Sequence, residues 1–214
     1  MRSAPTLTEL NLSCNSGLTD IAFLAKFLAL QKFDGHSCAV RDLSPLVASA
    51  STLTDLNVSQ NQHCDRSCVE VIPQLVHLTV LALDKTNLED ITFVGGLTNL
   101  EKLNLAGNDV TDLSPVAQLK NLSRIDLSCN HALADISALI ALAHEVRKPF
   151  EEINLKYTRL SFEQLMRLRE APMKRETFNR RFDAIQETTV SNMRRVSEGE
   201  DPEMGGGGIE CSIM

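Results

Sequence analysis

Three neighbouring side chains, His63, Cys64 and Cys68, are of types that can bind a metal ion. A structural zinc site needs four ligands, and this spacing matches no zinc-binding pattern. The two cysteines also fall where a longer segment of the chain needs small apolar residues. We therefore interpret them as buried structural residues and expect no metal, with metal binding as the alternative hypothesis.

A second chemical motif lies at the end of the chain, Cys211-Ser212-Ile213-Met214. This tetrapeptide resembles a CaaX box, with its thiol four residues from the end, an aliphatic third residue and a terminal Met of the type farnesyltransferase accepts. The resemblance implies a farnesyl thioether on Cys211, removal of Ser212 to Met214, and methylation. One lipid chain binds a membrane only reversibly, so a second membrane signal is expected.

The segment before this motif divides into two parts. Residues 197–214 are acidic and glycine-rich, which predicts a flexible linker. Residues 172–196 are basic and place Phe178, Phe182, Ile185 and Met193 at mostly helical spacing, which predicts an amphipathic helix. That helix either caps the structure before it, which we favour, or faces a membrane. Ser197 follows two arginines and a valine and is a weak candidate phosphorylation site.

Catalytic signatures are missing from the sequence. It has no glycine-rich phosphate loop after a strand and no GxSxG motif, and none of its five histidines is paired with a nucleophile in sequence. We therefore expect no enzyme activity, no catalytic residues and no cofactor.

The apolar residues that must build the fold recur as LxxLxLxxN, and this pattern appears seven times. Start-to-start spacings are 23, 23, 25, 22, 22 and 28 residues, within the range of leucine-rich repeats. The residues in this frame are Leu7, Leu10, Leu12 and Asn15; Leu30, Phe33, Gly35 and Cys38; Leu53, Leu56, Val58 and Asn61; Leu78, Leu81, Leu83 and Thr86; Leu100, Leu103, Leu105 and Asn108; Leu122, Ile125, Leu127 and Asn130; and Phe150, Ile153, Leu155 and Thr158.

Each repeat predicts one coil with a short strand at its LxL segment. No single coil can bury its leucines alone, so the coils must stack. The Asn at the ninth position is expected to satisfy backbone groups of neighbouring coils, with Cys38, Thr86 and Thr158 as weaker substitutes.

The second half of each coil has its own signals. An aspartate is expected to cap a short helical turn in five coils, at Asp20, Asp42, Asp90, Asp112 and Asp135. Ser44-Pro45 and Ser114-Pro115 suggest a capping Ser followed by Pro at the first helical position. Two longer coils, the third and the last before Pro172, predict fuller helices.

These coils, for example "LTNLEKLNLAGNDVTDLSPVAQL", resemble the leucine-rich-repeat superfamily, in particular internalin-type and phosphatase-regulator-type repeats. The resemblance covers roughly residues 7–171. It implies an α/β solenoid, an arc with a short parallel sheet on its concave face and helical or 3-10 turns on its convex face. We expect residues 1–171 to form this domain, with about seven repeats.

Side chains between the inward leucines should point out of the concave face. Most of those at the centre of the strands are Asn or Asp, which predicts a polar surface suited to a protein or peptide partner. The alternative is a merely soluble sheet face. The candidate partner-binding residues are Asn11, Asp34, His36, Asn57, Asp84, Asn104, Arg124, Asp126, Asn154 and Lys156.

Charge and hydropathy limit the classes of partner and the cellular locations that we expect. A net charge of −7 argues against nucleic-acid binding, which needs a basic surface. The first residues contain no apolar stretch fit for a secretory signal, and no run approaches 18 apolar residues. We expect a cytoplasmic protein at the cytosolic face of a membrane.

The sequence thus predicts a non-catalytic interaction module, an adaptor or scaffold tethered through Cys211. Two alternatives remain open, a regulatory subunit of an enzyme such as a protein phosphatase and a fragment of a ubiquitin-ligase substrate receptor. Some F-box leucine-rich-repeat proteins end in a CaaX box, but a first repeat at Leu7 leaves no room for an F-box. So early a start also leaves no polar cap, which suggests a truncated chain or a first coil covered by another chain.

Overall fold

Seven three-residue strands form one parallel sheet in the computed structural model, which describes residues 6–63 and 70–171. The strands lie side by side in chain order, so the sheet is open rather than closed into a barrel. Each predicted LxL segment holds one strand, and the α/β solenoid is confirmed. The strands are β1 (Glu9–Asn11), β2 (Lys32–Asp34), β3 (Asp55–Asn57), β4 (Val80–Ala82), β5 (Lys102–Asn104), β6 (Arg124–Asp126) and β7 (Glu152–Asn154).

Short helical segments return the chain between strands. Within residues 6–63 and 70–171, five of these segments are 3-10 turns, at Ala22–Lys26, Ser44–Ser49, Ile72–Gln74, Thr92–Gly96 and Ser114–Gln118. Two α-helices lie wholly within the described residues, α1 (Ser137–Glu145) in the coil with the longest spacing and α2 (Phe162–Arg169) in the last coil. The predicted helix before Pro172 is therefore confirmed. Part of the fuller helix expected in the third coil, the basic helix at 172–196 and the linker at 197–214 lie outside the described residues.

The inward side chains of successive coils form one hydrophobic core. Leu53, Leu78, Leu100 and Leu122 hold the same place in four coils and are fully buried. Burial of one such side chain contributes roughly 1.5–3 kcal/mol, and each stands against its counterparts in the coils on both sides. The stacking that the repeat pattern predicts is confirmed.

Asn108 shows how the ninth residue of a repeat joins two coils. Its side-chain amide donates to the carbonyl of Leu105 in its own coil, at 3.0 Å, and to that of Leu83 in the preceding coil, at 2.8 Å. Its Oδ1 accepts from the backbone N–H groups of Thr86 and Leu88, at 3.1 and 3.0 Å. These backbone groups have no strand partner, so one buried side chain supplies the hydrogen bonds that water cannot.

The other residues at this position follow the same principle. Asn61 and Asn130 are buried and each bonds backbone groups of its own and the preceding coil. Thr86 and Thr158 each donate one hydroxyl hydrogen bond within their own coil, at 2.7 Å. The Cys38 thiol donates to the carbonyl of Leu12, at 3.1 Å. The predicted role of the ninth residue is confirmed. Thr86, Thr158 and Cys38 make fewer of these bonds than the buried asparagines do, which confirms that they are weaker substitutes.

The residue just before this position has a left-handed backbone in every coil. Its φ lies between 52° and 63° at Cys14, Ser37, Gln60, Lys85, Gly107, Cys129 and Tyr157. Glycine occupies only one of the seven, although a left-handed residue with a side chain costs roughly 1–2 kcal/mol. The stacked coils impose this turn, and the side chain at its apex is otherwise free to vary.

The capping aspartates lie one residue earlier than expected. In the fifth coil Leu113 is the N-cap residue, and Asp112 before it accepts from the backbone N–H of Ser114, at 2.8 Å, and from its hydroxyl, also at 2.8 Å. These two bonds, the backbone one first, lower the pKa of Asp112 below its usual value of 3.8. Ser114 and Ser44 are thus the first helical residues rather than caps, and each donates its own backbone N–H to the aspartate two residues earlier.

Repeat two replaces an inward leucine with Gly35, and the reason is the ring of Phe33. A Cβ added at Gly35 would lie 2.9 Å from two ring atoms of Phe33. The phenyl ring thus fills the space that a Leu pair fills in other coils, such as Leu103 and Leu105. Two departures from the repeat pattern compensate for each other.

Replacement of Asn108 tests the bonds between coils. The Asn108→Ala variant should lose about 3 kcal/mol of unfolding free energy, because several buried backbone groups lose their partners at once. Asn108→Thr should lose clearly less, since Thr86 shows that a hydroxyl can keep one of the bonds. Urea unfolding followed by circular dichroism measures both. Equal losses in the two variants would contradict the assigned role of the amide.

A double-mutant cycle tests the Phe33 and Gly35 compensation. Phe33→Leu should destabilise by leaving a cavity, and Gly35→Leu by overpacking, each by roughly 1–3 kcal/mol. The double variant, which restores the leucine pair of other coils, should be more stable than the sum predicts by roughly 1–2 kcal/mol. Denaturant midpoints of the four proteins give this coupling, and strict additivity would refute it.

Candidate partner-binding face

The concave face consists of the outward side chains of the seven strands and of the residues that follow each strand. In-register pairing aligns the centres of these strands, for example Asn11 with Asp34 and Asp126 with Asn154. All ten predicted partner-binding residues lie on this face, in the residues from the strands to the turns after them. At the central column, Asn11 is exposed and its counterparts are half-buried, so the polar strip is accessible.

Hydrogen bonds hold the central polar residues in place. The carboxamide or carboxylate oxygen of the residue accepts from the backbone N–H two positions later, as in Asn11 with Ser13, at 2.8 Å, and Asn104 with Ala106, at 3.0 Å. The same bond recurs at Asp34, Asn57, Asp126 and Asn154. Because these side chains are fixed in the unbound protein, a ligand need not immobilise them.

A hollow of about 420 Å³ lies on this face over β1 to β4. Its charged lining residues are Glu9, Lys32, Asp34 and Asp55, three acidic and one basic. Lys32 bonds Glu9 at 3.1 Å, and this hydrogen bond and charge, followed by the charge of Asp55, raise the pKa of Lys32 above 10.5. The hollow is therefore an acidic environment, and its lysine remains protonated.

The other end of the face differs in charge. Lys102, Arg124 and Lys156 project from or follow β5, β6 and β7, and Arg124 bonds Glu151 at 3.0 Å. Two amide–carboxylate bonds link neighbouring strands, Asn104 to Asp84 at 3.0 Å and Asn154 to Asp126 at 2.8 Å. The concave face thus has an acidic half over β1 to β4 and a half with more basic residues over β5 to β7.

One pairing on this face brings a histidine to a nucleophile that is distant from it in sequence. Cys14 Sγ lies 3.4 Å from His36 Nε2, and His36 Nδ1 lies 3.0 Å from Asp34 Oδ1. The two residues are 22 positions apart in sequence, and one repeat brings them together. The signal that could have found them was the repeat register itself, because the eighth residue of one coil lies beside the seventh of the next.

The metal-binding hypothesis has no support among the residues that the structure describes, where no three His, Cys, Asp or Glu side chains are arranged to hold an ion. His63 is described, but Cys64 and Cys68 lie outside that part of the chain, as do Ser197 and the lipidation candidate Cys211. In the Cys14, His36 and Asp34 group the imidazole stands between the other two side chains, which excludes a shared ion.

Stacked coils with an in-register strand, a buried ninth residue and an open polar face define a leucine-rich-repeat solenoid. Family models agree: one described as "Leucine Rich repeats (2 copies)" matches residues 98–141, and one described as "Leucine Rich repeat" matches residues 3–21. No curated protein matches the chain by sequence.

Solved structures with this fold include two internalins of Listeria monocytogenes. Internalin C2 is 26% identical with a TM-score of 0.56, over 72% of this chain and 73% of that one. Internalin F is 21% identical with a TM-score of 0.54, over 75% and 56%. A leucine-rich-repeat protein of Leptospira interrogans is 20% identical with a TM-score of 0.56, over 79% and 55%. The chain therefore spans little more than half the length of the last two.

Proposed function

We propose that this protein is a non-catalytic interaction module, an adaptor or scaffold that binds a protein partner on its concave face. The observation that supports this most directly is the accessible strip of Asn and Asp side chains at the centre of six of the seven aligned strands. A strip of this kind offers donors and acceptors at regular intervals. Leucine-rich-repeat proteins commonly act as protein-protein interaction modules, and an elongated curved face suits an extended ligand.

The acidic half of the face favours a partner with a basic segment. Glu9, Asp34 and Asp55 surround the hollow over β1 to β4, where a lysine or arginine side chain would enter. An arginine there could form charge-assisted hydrogen bonds with a carboxylate, which are stronger than bonds between neutral groups. Electrostatic complementarity of this kind speeds association and selects between partners.

A regulatory subunit of an enzyme such as a protein phosphatase, or a fragment of a ubiquitin-ligase substrate receptor, would use the same face. The activity that copurifies with the protein would distinguish these alternatives from an adaptor. Phosphatase activity that copurifies with the protein, and is lost when the concave face is altered, would favour the regulatory subunit over the adaptor.

The location is proposed from the CaaX-like ending, which places the module at the cytosolic face of a membrane through a farnesyl group on Cys211. Of the described helices, none combines the length and the apolar composition needed to cross a bilayer. A lipid anchor of one chain is weak, so the basic pairs at 180–181 and 194–195 would supply added attraction to anionic lipid.

Charge reversal tests the proposed face. In the double variant Glu9→Lys and Asp55→Lys, binding of Lys- and Arg-rich peptides selected from a displayed library should fall at least tenfold, because the hollow loses its attraction for cations. The matched control is Glu89→Lys with Asp109→Lys, which makes the same change in net charge at exposed sites off the hollow. Isothermal titration calorimetry compares the dissociation constants, and equal losses in both variants would contradict binding at this face.

The Cys211→Ser variant tests the tether. It should move from the membrane to the soluble fraction, because serine has no thiol to form the thioether. Fractionation of cells that express either form, with Cys38→Ser as a control for loss of a thiol elsewhere, measures the effect. An unchanged distribution would remove the lipid anchor from the proposal while leaving the partner-binding face untouched.

A further inference from the structure

We propose that Cys14 is a reactive thiol that forms mixed disulfides with small disulfides, with His36 as the acceptor of its proton and Asp34 as a positioning residue. The proposal concerns a modification site and does not depend on the partner of the concave face. It rests on the arrangement of a nucleophile, a base and a carboxylate in one line on an exposed surface.

The geometry assigns a role to each group. The carboxylate of Asp34 can only accept hydrogen bonds, so His36 must donate from Nδ1, at 3.0 Å. The lone pair of the neutral ring is then on Nε2, which faces Cys14 Sγ at 3.4 Å. This is the order in which a base and its carboxylate activate a nucleophile in other proteins.

The backbone holds this arrangement in place. Cys14 has a left-handed φ of 61°, and its N–H donates to the carbonyl of His36 at 2.9 Å. The N–H of His36 in turn donates to Asp34 Oδ1, at 3.1 Å. Backbone hydrogen bonds between two adjacent coils therefore fix the relative positions of the residues that carry the thiol and the imidazole.

Nothing in the repeat requires this combination of side chains. The residues equivalent to His36 include Ser13, Ser59 and Ser128, and the residue equivalent to Cys14 in the second coil is Ser37. Serines at both places would preserve the fold. The chain instead has a thiol and an imidazole in contact at the first pair of coils.

Accessibility separates Cys14 from another thiol of the same region. Cys14 is exposed, whereas Cys38 is buried and donates its S–H to the Leu12 carbonyl. Asp34 also lines the acidic hollow, so a small disulfide that carries positive charge should approach more readily than a neutral one. The reagent class is therefore a small cationic disulfide, of which cystamine is an example.

The exchange step balances without any other reagent. The Cys14 sulfur attacks one sulfur of the disulfide as His36 Nε2 takes the thiol proton. A new S–S bond forms to Cys14 as the S–S bond of the reagent breaks. The departing thiolate takes up the proton from the imidazolium and leaves as a thiol, so Cys14 is oxidised and half of the reagent is reduced.

The test measures the rate at which cystamine modifies Cys14 in the full-length chain, read by mass spectrometry of the peptide that contains it. His36→Ser, which places a residue the repeat already uses at this position, should slow the reaction about tenfold at pH 7, because a free thiol is only a few per cent thiolate there. Asp34→Asn keeps the turn seen at Asn11 and Asn57 and should slow it about threefold. His77→Asn, at an exposed histidine elsewhere, should leave it unchanged.

A further readout separates a chemical role from a structural one. Added imidazole should restore part of the lost rate in His36→Ser, because it supplies the missing base. Rates within twofold for wild type and His36→Ser, or no restoration by imidazole, would overturn the proposal.

Discussion

The structure depends on one constraint: backbone groups in the turn after each strand are buried between coils and must find hydrogen bonds without water. Asn108 illustrates the solution, with an amide that joins its own coil to the preceding one. An unpaired buried group would cost roughly 1–3 kcal/mol, and several would be left at each turn. The ninth residue therefore aligns the coils as well as stabilising them.

Alignment of the coils has a direct consequence for the concave face. Once residues at one repeat position stand side by side, a substitution at any outward position changes the surface without changing the fold. The face could thus become acidic around Asp34 and Asp55 and include more basic residues beyond β5. Its central side chains stay fixed by their own backbone bonds, so the same repeat that builds the core also preorganises the surface.

The repeat pattern predicted the strands, the core, the ninth-residue bonds and the position of the polar face, because each of these depends on periodic spacing alone. It did not predict the one-residue offset of the aspartates, since the bond to the N–H two residues later is the same whether the helical turn begins one or two residues after the carboxylate. Nor did it explain Gly35, whose reason is the volume of the Phe33 ring. The contact of Cys14 with His36 was missed because each residue was considered within its own coil.

The contact of Cys14 with His36 shows how a surface without a deep cleft can position reactive side chains. A nucleophile usually needs a pocket to fix its base, whereas here two adjacent coils fix both groups through backbone bonds. The left-handed turn accepts side chains as different as Ser37, Lys85 and Tyr157, so it does not select a thiol for packing. A solenoid can therefore gain a reactive site by two substitutions at positions that adjacent coils bring together. Neither substitution removes the ninth-residue hydrogen bonds that join the coils.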